Sequence, residues 1–545
     1  MLTAIPLGGL GEVGLNALVF GWGDELVLVD AGLMFPREPL PGVDLVLPDF
    51  TWLRENAHRL KAVFVTHAHE DHLGALPWLL RDVRVPVYAP PFARALLLHK
   101  LEEEDVEADV RELGPTETVQ LSDAFSVQPV RMCHSVPDAL GFILRTPAGN
   151  VVHTGDWKLD PSPLEGWPTD LELLERAGHE GVVALFSDST NAEVSVHTPS
   201  EQVVAGALGR AFHEAPGRLI VSLFASQVGR IRTVMQLCQQ SGRKLLVSGR
   251  TLQRNLELAQ ATGHLRIPDG LLVHRDDAGY LPPRHLCILA GGSQAEPRGH
   301  LVQMTGDHFP LRIEPGDTVV LSARAVPGNE AAVSQLVDRL FALGAKVLYP
   351  RTVPDIHVSG HASAVEQAAL IHAVRPRNFI PIHGEQRMLH RHLETARTAG
   401  VPEEGLLLAT DGDVLAFPDG HVQRRGRVHV GRIFRSRDGG SDIDAAALRE
   451  RAQLQHGLVV AALALERGTG RIVSGPQLYG RGVTEEEAAT LEHAQQAVQA
   501  DFAGATQGLR GDDAFVREAL VASVRRAFKA AGHRRPAVLP AILKL

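Results

Sequence analysis

Residues 63–74, Val-Phe-Val-Thr-His-Ala-His-Glu-Asp-His-Leu-Gly, carry four metal-capable side chains, His67, His69, Asp71 and His72, within six positions directly behind an apolar run. The apolar run reads as a buried strand, so all four emerge together on an irregular loop at its carboxyl end. There His67 and His69 can face one ion while Asp71 and His72 turn towards a neighbour. Imidazole and carboxylate donors suit zinc or manganese, and the lack of cysteine in the loop argues against a structural thiolate site. The chemistry of such a set is metal-assisted hydrolysis. Two ions need more donors than one loop supplies, and suitable ones stand behind other predicted strands: His134, Asp156 and His383.

A second group of residues suits phosphate. Ser226 and Arg230 follow one apolar strand, Ser248 and Arg250 follow another, and Ser359, Gly360, His361, Ala362 and Ser363 precede a helix start. Hydroxyls, guanidinium groups and exposed amides at a helix N-terminus all bind phosphate oxygens.

The elements that must hold these residues change rhythm along the chain. Up to about residue 195, short strands alternate with tight turns, including a hairpin around Gly21–Glu25. Helices and apolar strands then alternate at crossover spacing, as in a small parallel-sheet domain. After Pro350 the segments bearing His361 and His383 appear, followed by a terminal strand, an arginine-rich linker over 424–444, and about a hundred residues with one strand and two helices.

The chain has 545 residues, 44% of them hydrophobic and 22% charged, which predicts several soluble domains. No membrane span or signal peptide is expected, and three scattered cysteines, Cys133, Cys238 and Cys287, fit buried positions in a reducing cytoplasm. A formal charge of −10 gives no bulk attraction to nucleic acid. The basic runs Arg218–Arg254 and Arg424–Arg437 contain no carboxylate and could recognise phosphate locally.

The motifs at His67–His72, His134, Asp156 and His383 resemble the successive metal motifs of the metallo-β-lactamase superfamily. Over nearly the whole chain, Gly8–Asn16, Thr154–Pro163, Ser187–Glu193, Gly291–Gly299, Pro315–Glu330 and Val358–Ser363 resemble the bacterial ribonuclease J family of its β-CASP branch. The resemblance implies an α/β fold: a metallo-β-lactamase αββα sandwich (1–195 and 349–423), an inserted β-CASP α/β domain (196–348) and a small C-terminal α/β domain (445–545) for assembly and RNA positioning. It assigns His67, His69 and His134 to one metal, Asp71, His72 and His383 to the other, and Asp156 as the bridge. Asp188 falls on the β-CASP acidic motif and His361 on its histidine motif. Two departures stand out: Ala295 where glycine is usual, and Asp307-His308-Phe309 in place of an asparagine-histidine-arginine sequence.

By this resemblance the expected protein is a cytoplasmic, homodimeric ribonuclease, with 5′-to-3′ exonuclease activity on 5′-monophosphorylated single-stranded RNA plus endonuclease activity, in RNA maturation and mRNA decay, with possible RNA-degradation partners. Zn2+ and/or Mn2+, two ions about 4 Å apart, would activate hydroxide for in-line attack and leave 5′-phosphate products. Asp71 would hold metal and position the nucleophile, His361 would protonate the leaving 3′ oxygen, and Asp188 would orient its neighbours. The alternative is a mainly endonucleolytic β-CASP enzyme acting on RNA or DNA. A thiolester or lactam hydrolase leaves the large insertion unexplained, and an RNA-binding protein with structural metals leaves the full ligand set unexplained.

Overall fold

The computed structural model describes residues 1–36, 40, 42–164, 166–436, 442–454, 456–467, 469–504 and 512–545. They form two compact units: one runs from Met1 to Arg432 apart from a short segment ending at Leu45, and the other joins that segment to Ile433–Leu545.

Two sheets face each other in the first unit. The eight-stranded sheet runs in the order Gln423–Arg427, Asp413–Ala416, Leu2–Gly8, Ala17–Trp22, Glu25–Val29, Leu60–Phe64, Val87–Ala89, Val110–Glu112. The six-stranded sheet runs Asn378–Ile382, Val182–Asp188, Gly149–His153, Leu140–Thr146, Phe125–Arg131, Val119–Ser122. Strands this apolar cannot face water on either side, so their inner faces close on a shared core. Phe20 meets Phe186 edge-on at 5.1 Å and Phe64 meets Phe142 at 5.6 Å, each pair spanning the two sheets. Burying each such ring contributes about 1.5–3 kcal/mol. The outer face of the six-stranded sheet is covered by helices Leu171–Glu180, Ala364–Val374 and Gln386–Thr398 through Leu174, Leu370, Ile371 and Ala396. Helices Leu76–Leu80 and Pro91–Glu103 bury Leu79, Leu96 and Leu97 beside the other sheet, completing four layers.

An inserted parallel sheet has the order Lys244–Ser248, Leu286–Ala290, Leu219–Ser222, Thr318–Leu321, Lys346–Leu348. Helix Glu201–Glu214 leads into it, and its short apolar strands are separated by helices Val228–Ser241, Arg250–Ala261 and Glu330–Ala342, the pattern that favours right-handed crossovers. Loops at the carboxyl ends of such strands are where ligands bind. Ala295, in one of these loops, has φ 58°, a left-handed conformation that glycine would adopt without Cβ strain.

In the second unit, strands Ile472–Arg481, Leu458–Leu465 and Ala537–Lys544 form one sheet. Val459, Ala461, Leu463 and Leu465 alternate into a core with Val498 and Phe502 of helix Glu485–Gly504 and Val516, Leu520 and Phe528 of helix Asp513–Ala530. Pairing with Leu458–Leu465 defines the two outer strands, which local pattern had not distinguished from loop.

The linker expected from residue 424 starts later. Gln423–Arg427 is an edge strand paired with Asp413–Ala416, and Arg424 Nε donates to Asp413 at 2.8 Å. A row of arginines looks like a linker in sequence, yet charged side chains suit an exposed sheet edge. Positions 437–441 of that linker lie outside the described residues.

Candidate metal centre

Five strand ends deliver the site. Strand Leu60–Phe64 leads to His67, His69, Asp71 and His72. Strand Phe125–Arg131 precedes His134, Gly149–His153 precedes Asp156, Val182–Asp188 ends in Asp188, and Asn378–Ile382 precedes His383. Asp188 pairs with Ile382 across parallel strands, which sets it beside His383. The close approach of loops needs glycine at one position in particular: a Cβ on Gly32 would lie 1.6 Å from the Asp71 carbonyl oxygen.

The ligand-capable atoms converge in overlapping groups: His67, His69, His134 and Asp156; Asp71, His72 and His383; and Asp156, Asp188, His361 and His383. His69 Nδ1 is 3.0 Å from His67 Nε2 and 3.2 Å from His134 Nε2. Asp156 Oδ2 lies 3.6 Å from His67 Nε2, 3.7 Å from His134 Nε2 and 3.3 Å from His72 Nε2, and His383 Nε2 is 3.3 Å from Asp71 Oδ2. Donors at about 2.1 Å from a shared ion would stand about 3.0–3.4 Å from one another, a range that the His67–His69, His69–His134, His72–Asp156 and Asp71–His383 spacings meet and the other two exceed by a few tenths of an ångström. Asp156 Oδ1 is buried with no hydrogen-bond partner, 3.6 Å from His383 Nε2, an orphan that a cation would satisfy. The residues fit a divalent metal.

Electrostatics divides the cage. Burial pushes His67 and His134 well below the ordinary imidazole range and His69 down to about 4, leaving neutral nitrogens with free lone pairs. Burial opposes charge on His72 and His383 too, but Asp156 with Asp30 and Asp71 raises the former to about 10, and Asp156, Asp188 and Asp71 raise the latter. The carboxylates in that half demand positive charge, which a metal supplies in place of protons.

Beside the cage, His361 Nδ1 is 2.8 Å from Asp188 Oδ2 and 4.0 Å from Asp156 Oδ2. Burial disfavours its charged form, yet the Asp188 carboxylate outweighs that and raises its pKa above the ordinary value. Asp188 itself stays ionised against burial because His361 and His383 flank it.

The phosphate-suited residues separate. Ser226 Oγ reaches the centre, 3.1 Å from His69 Nε2, so the inserted domain touches a ligand of the cage. Arg230 does not: its guanidinium is buried, bidentate to Glu201 at 2.7 and 2.9 Å and bonded to the Ser322 carbonyl at 2.6 Å. Ser248 Oγ contacts His300 Nδ1 at 2.7 Å, and Arg250 starts an exposed helix end. The 359–363 segment builds the site instead of lining a separate pocket. Ser359 Oγ accepts from the His361 amide, the Gly360 carbonyl is 2.9 Å from His134 Nδ1, Ala362 N donates to the Trp157 carbonyl, and buried Ser363 caps helix Ala364–Val374.

Three contributors were not singled out in the sequence as site residues, although Thr190 lies within the Ser187–Glu193 motif. Asp30, with φ 63°, binds His72 Nδ1 at 2.7 Å and the Thr66 amide at 2.8 Å. Thr190 bridges Asp188 and His383. Glu366, fully buried, accepts from the amides of Leu159, Thr198 and Ser363 and from the Ser363 hydroxyl. Only the last carried a local signal of its role, a serine followed three residues later by glutamate.

Together the αββα layers, the inserted parallel sheet and the nested His/Asp cage define a metallo-β-lactamase-superfamily hydrolase with a β-CASP insertion. Residues 26–179 match the family model described as a beta-lactamase superfamily domain, 216–340 the ribonuclease J beta-CASP domain, 350–403 a Zn-dependent metallo-hydrolase RNA specificity domain, and 446–545 the ribonuclease J C-terminal domain. The chain is 40% identical to ribonuclease J of Synechocystis, over 88% of this chain and 76% of that protein. It is 37% identical to ribonuclease J of Thermus thermophilus, over 99% and 95%. Against ribonuclease J2 of Bacillus subtilis it is 34% identical, over 99% and 98%. A crystal structure of a protein of unknown function from Enterococcus faecalis V583 shares the fold, with TM-score 0.52 and 15% identity over 76% of this chain and 99% of that one. This chain belongs to the ribonuclease J family.

Proposed function

We propose that the chain is a metal-dependent ribonuclease that degrades 5′-monophosphorylated single-stranded RNA from its 5′ end and also cleaves internally, serving RNA maturation and mRNA decay in the cytoplasm. The observation that carries this reading is the Asp188–His361 pair, hydrogen-bonded at 2.8 Å and lying directly against the His/Asp cage. Two ions, zinc or manganese, would be held by His67, His69 and His134 on one side and by Asp71, His72 and His383 on the other, with Asp156 between. Divalent ions there acidify water and screen an anionic phosphodiester.

The chain's own residues supply the rest. Asp188 accepts from His361 Nδ1–H, so the ring presents Nε2 to substrate, and the imidazolium donates its Nε2 proton to the leaving 3′ oxygen, yielding a 5′-phosphate product. Ser226 keeps a hydroxyl proton for a phosphate oxygen when it accepts from His69 Nε2–H. The loops at 248–250 and 291–294 lie at carboxyl ends of the inserted parallel strands, with Arg250 exposed, and would carry the RNA onward. Residues 196–348 act as the β-CASP domain between two metallo-β-lactamase segments, and 445–545 organise a homodimer. Static light scattering on a chain truncated after Asp444 checks that last role, which unchanged mass would refute.

The decisive experiment is a manganese-dependent time course on matched single-stranded RNAs with a 5′-monophosphate or 5′-triphosphate, resolving every product length. Immediate mononucleotides from the monophosphate RNA support the exonuclease reading. Discrete internal fragments independent of the 5′ group would make endonucleolytic cleavage the main activity.

A further inference from the structure

We infer that Thr190 is a positioning residue of this centre: its hydroxyl holds the His383 ring in the tautomer that turns Nε2 towards the metal side and ties that ring to the Asp188–His361 pair. The inference rests on the reading of His383 as a ligand and His361 as the acid.

A threonine hydroxyl has one proton to give and lone pairs to accept with. Thr190 Oγ1 lies 2.7 Å from Asp188 Oδ1 and 2.6 Å from His383 Nδ1. An ionised carboxylate only accepts, so the hydroxyl proton goes to Asp188 and the lone pair is left for His383. The His383 ring must then donate Nδ1–H to Thr190, which leaves Nε2 as the nitrogen available to a metal where it faces Asp71 Oδ2 at 3.3 Å and Asp156 Oδ1 at 3.6 Å. The opposite arrangement, with the hydroxyl donating to the ring, sets an oxygen lone pair against Asp188 Oδ1 at 2.7 Å.

The backbone needs the same clasp. His383 has φ 52°, outside the range a histidine prefers, and its carbonyl accepts from Ser189 N at 3.2 Å and lies 3.3 Å from Thr190 Oγ1. Asp188 meanwhile receives the Thr190 amide at 2.8 Å. One continuous chain of hydrogen bonds therefore runs from His383 through Thr190 and Asp188 to His361; His383 Nδ1 also lies 3.3 Å from Asp188 Oδ1, and the hydroxyl at 2.6 Å is the nearer of its two partners.

The test uses the full chain with Thr190→Val, which keeps the shape and removes the hydroxyl, Thr190→Ala, which removes it without new bulk, and Thr190→Ser as rescue. Manganese and zinc binding are titrated without RNA, and kcat and KM are measured on the monophosphorylated RNA. Removal of the hydroxyl should weaken metal binding about 10–100-fold and lower kcat with KM little changed, while Thr190→Ser stays within about 3-fold of the parent chain. Parental metal affinity and kcat in Thr190→Val or Thr190→Ala overturns the inference, as does failure of Thr190→Ser to rescue. Should both hydroxyl-free variants fail to fold, nitrogen-15 NMR of the zinc-loaded parent decides: a His383 protonated on Nε2 refutes the assignment, and one protonated on Nδ1 supports it. A parent chain without metal-dependent RNA cleavage would instead refute the functional reading beneath it.

Discussion

His361 occupies a position where a proton donor is useful and a metal ligand is not required, since its Nδ1 is engaged by Asp188 at 2.8 Å. His361→Ala is expected to lower the single-turnover rate at least 100-fold with bound metal unchanged, measured by rapid quench and elemental analysis. Equal loss of metal and rate would move His361 into the ligand set. A second residue gives a pH effect away from the cage. Asp411 accepts from Leu10 N, and burial together with nearby Glu12 pushes its pKa up to about 7. The unfolded chain loses that proton near the ordinary aspartate value, so between about pH 4 and 7 the folded state binds more protons and this residue's contribution falls as pH rises. Asp411→Asn should therefore raise stability relative to the parent at pH 7 and converge with it near pH 4, which denaturant titrations at both pH values check.

At the scale of elements, the motif loops are held by helix ends and buried carboxylates. Glu366, three residues into helix Ala364–Val374, gathers amides from Leu159, Thr198 and Ser363. Glu366→Ala leaves those donors unsatisfied in a dry interior and should cost about 3 kcal/mol, with Glu366→Gln intermediate, by chemical denaturation. The basic run Arg218–Arg254 changes meaning on folding. Arg218 pairs with Asp317, Arg230 with Glu201, and Arg243 donates to the carbonyls of Ala215 and Gly217. Partners distant in sequence thus take up these three arginines, whereas Arg250 of the same run stays exposed.

At the scale of the molecule, the cage joins both sheets of the sandwich, and Ser226 brings the inserted domain onto it. Metal that binds only the folded arrangement stabilises the whole first unit by mass action. Chelation with EDTA should abolish RNA cleavage and lower Tm, and manganese should restore both. A Tm insensitive to chelation would mean that the cage forms without its ions. No helix among the described residues is long and apolar enough to cross a membrane.

By itself the sequence offered the candidate donors from His67 to His383, because apolar strand runs followed by ligand-bearing turns are local patterns of residue type, while their division between two ions came from the family resemblance. It also determined the alternation of strand and helix that makes the inserted parallel sheet. Tertiary structure decided how Asp30, Thr190 and Glu366 serve the site, because their roles depend on partners such as His72, 42 residues away, His383, 193 residues away, and Leu159, 207 residues away. It likewise decided that Arg230 is an internal strut and Ser226 a neighbour of His69. Nothing local distinguishes a serine or arginine that meets a phosphate from one that meets another side chain, since both offer the same hydrogen-bonding groups and only packing selects the partner.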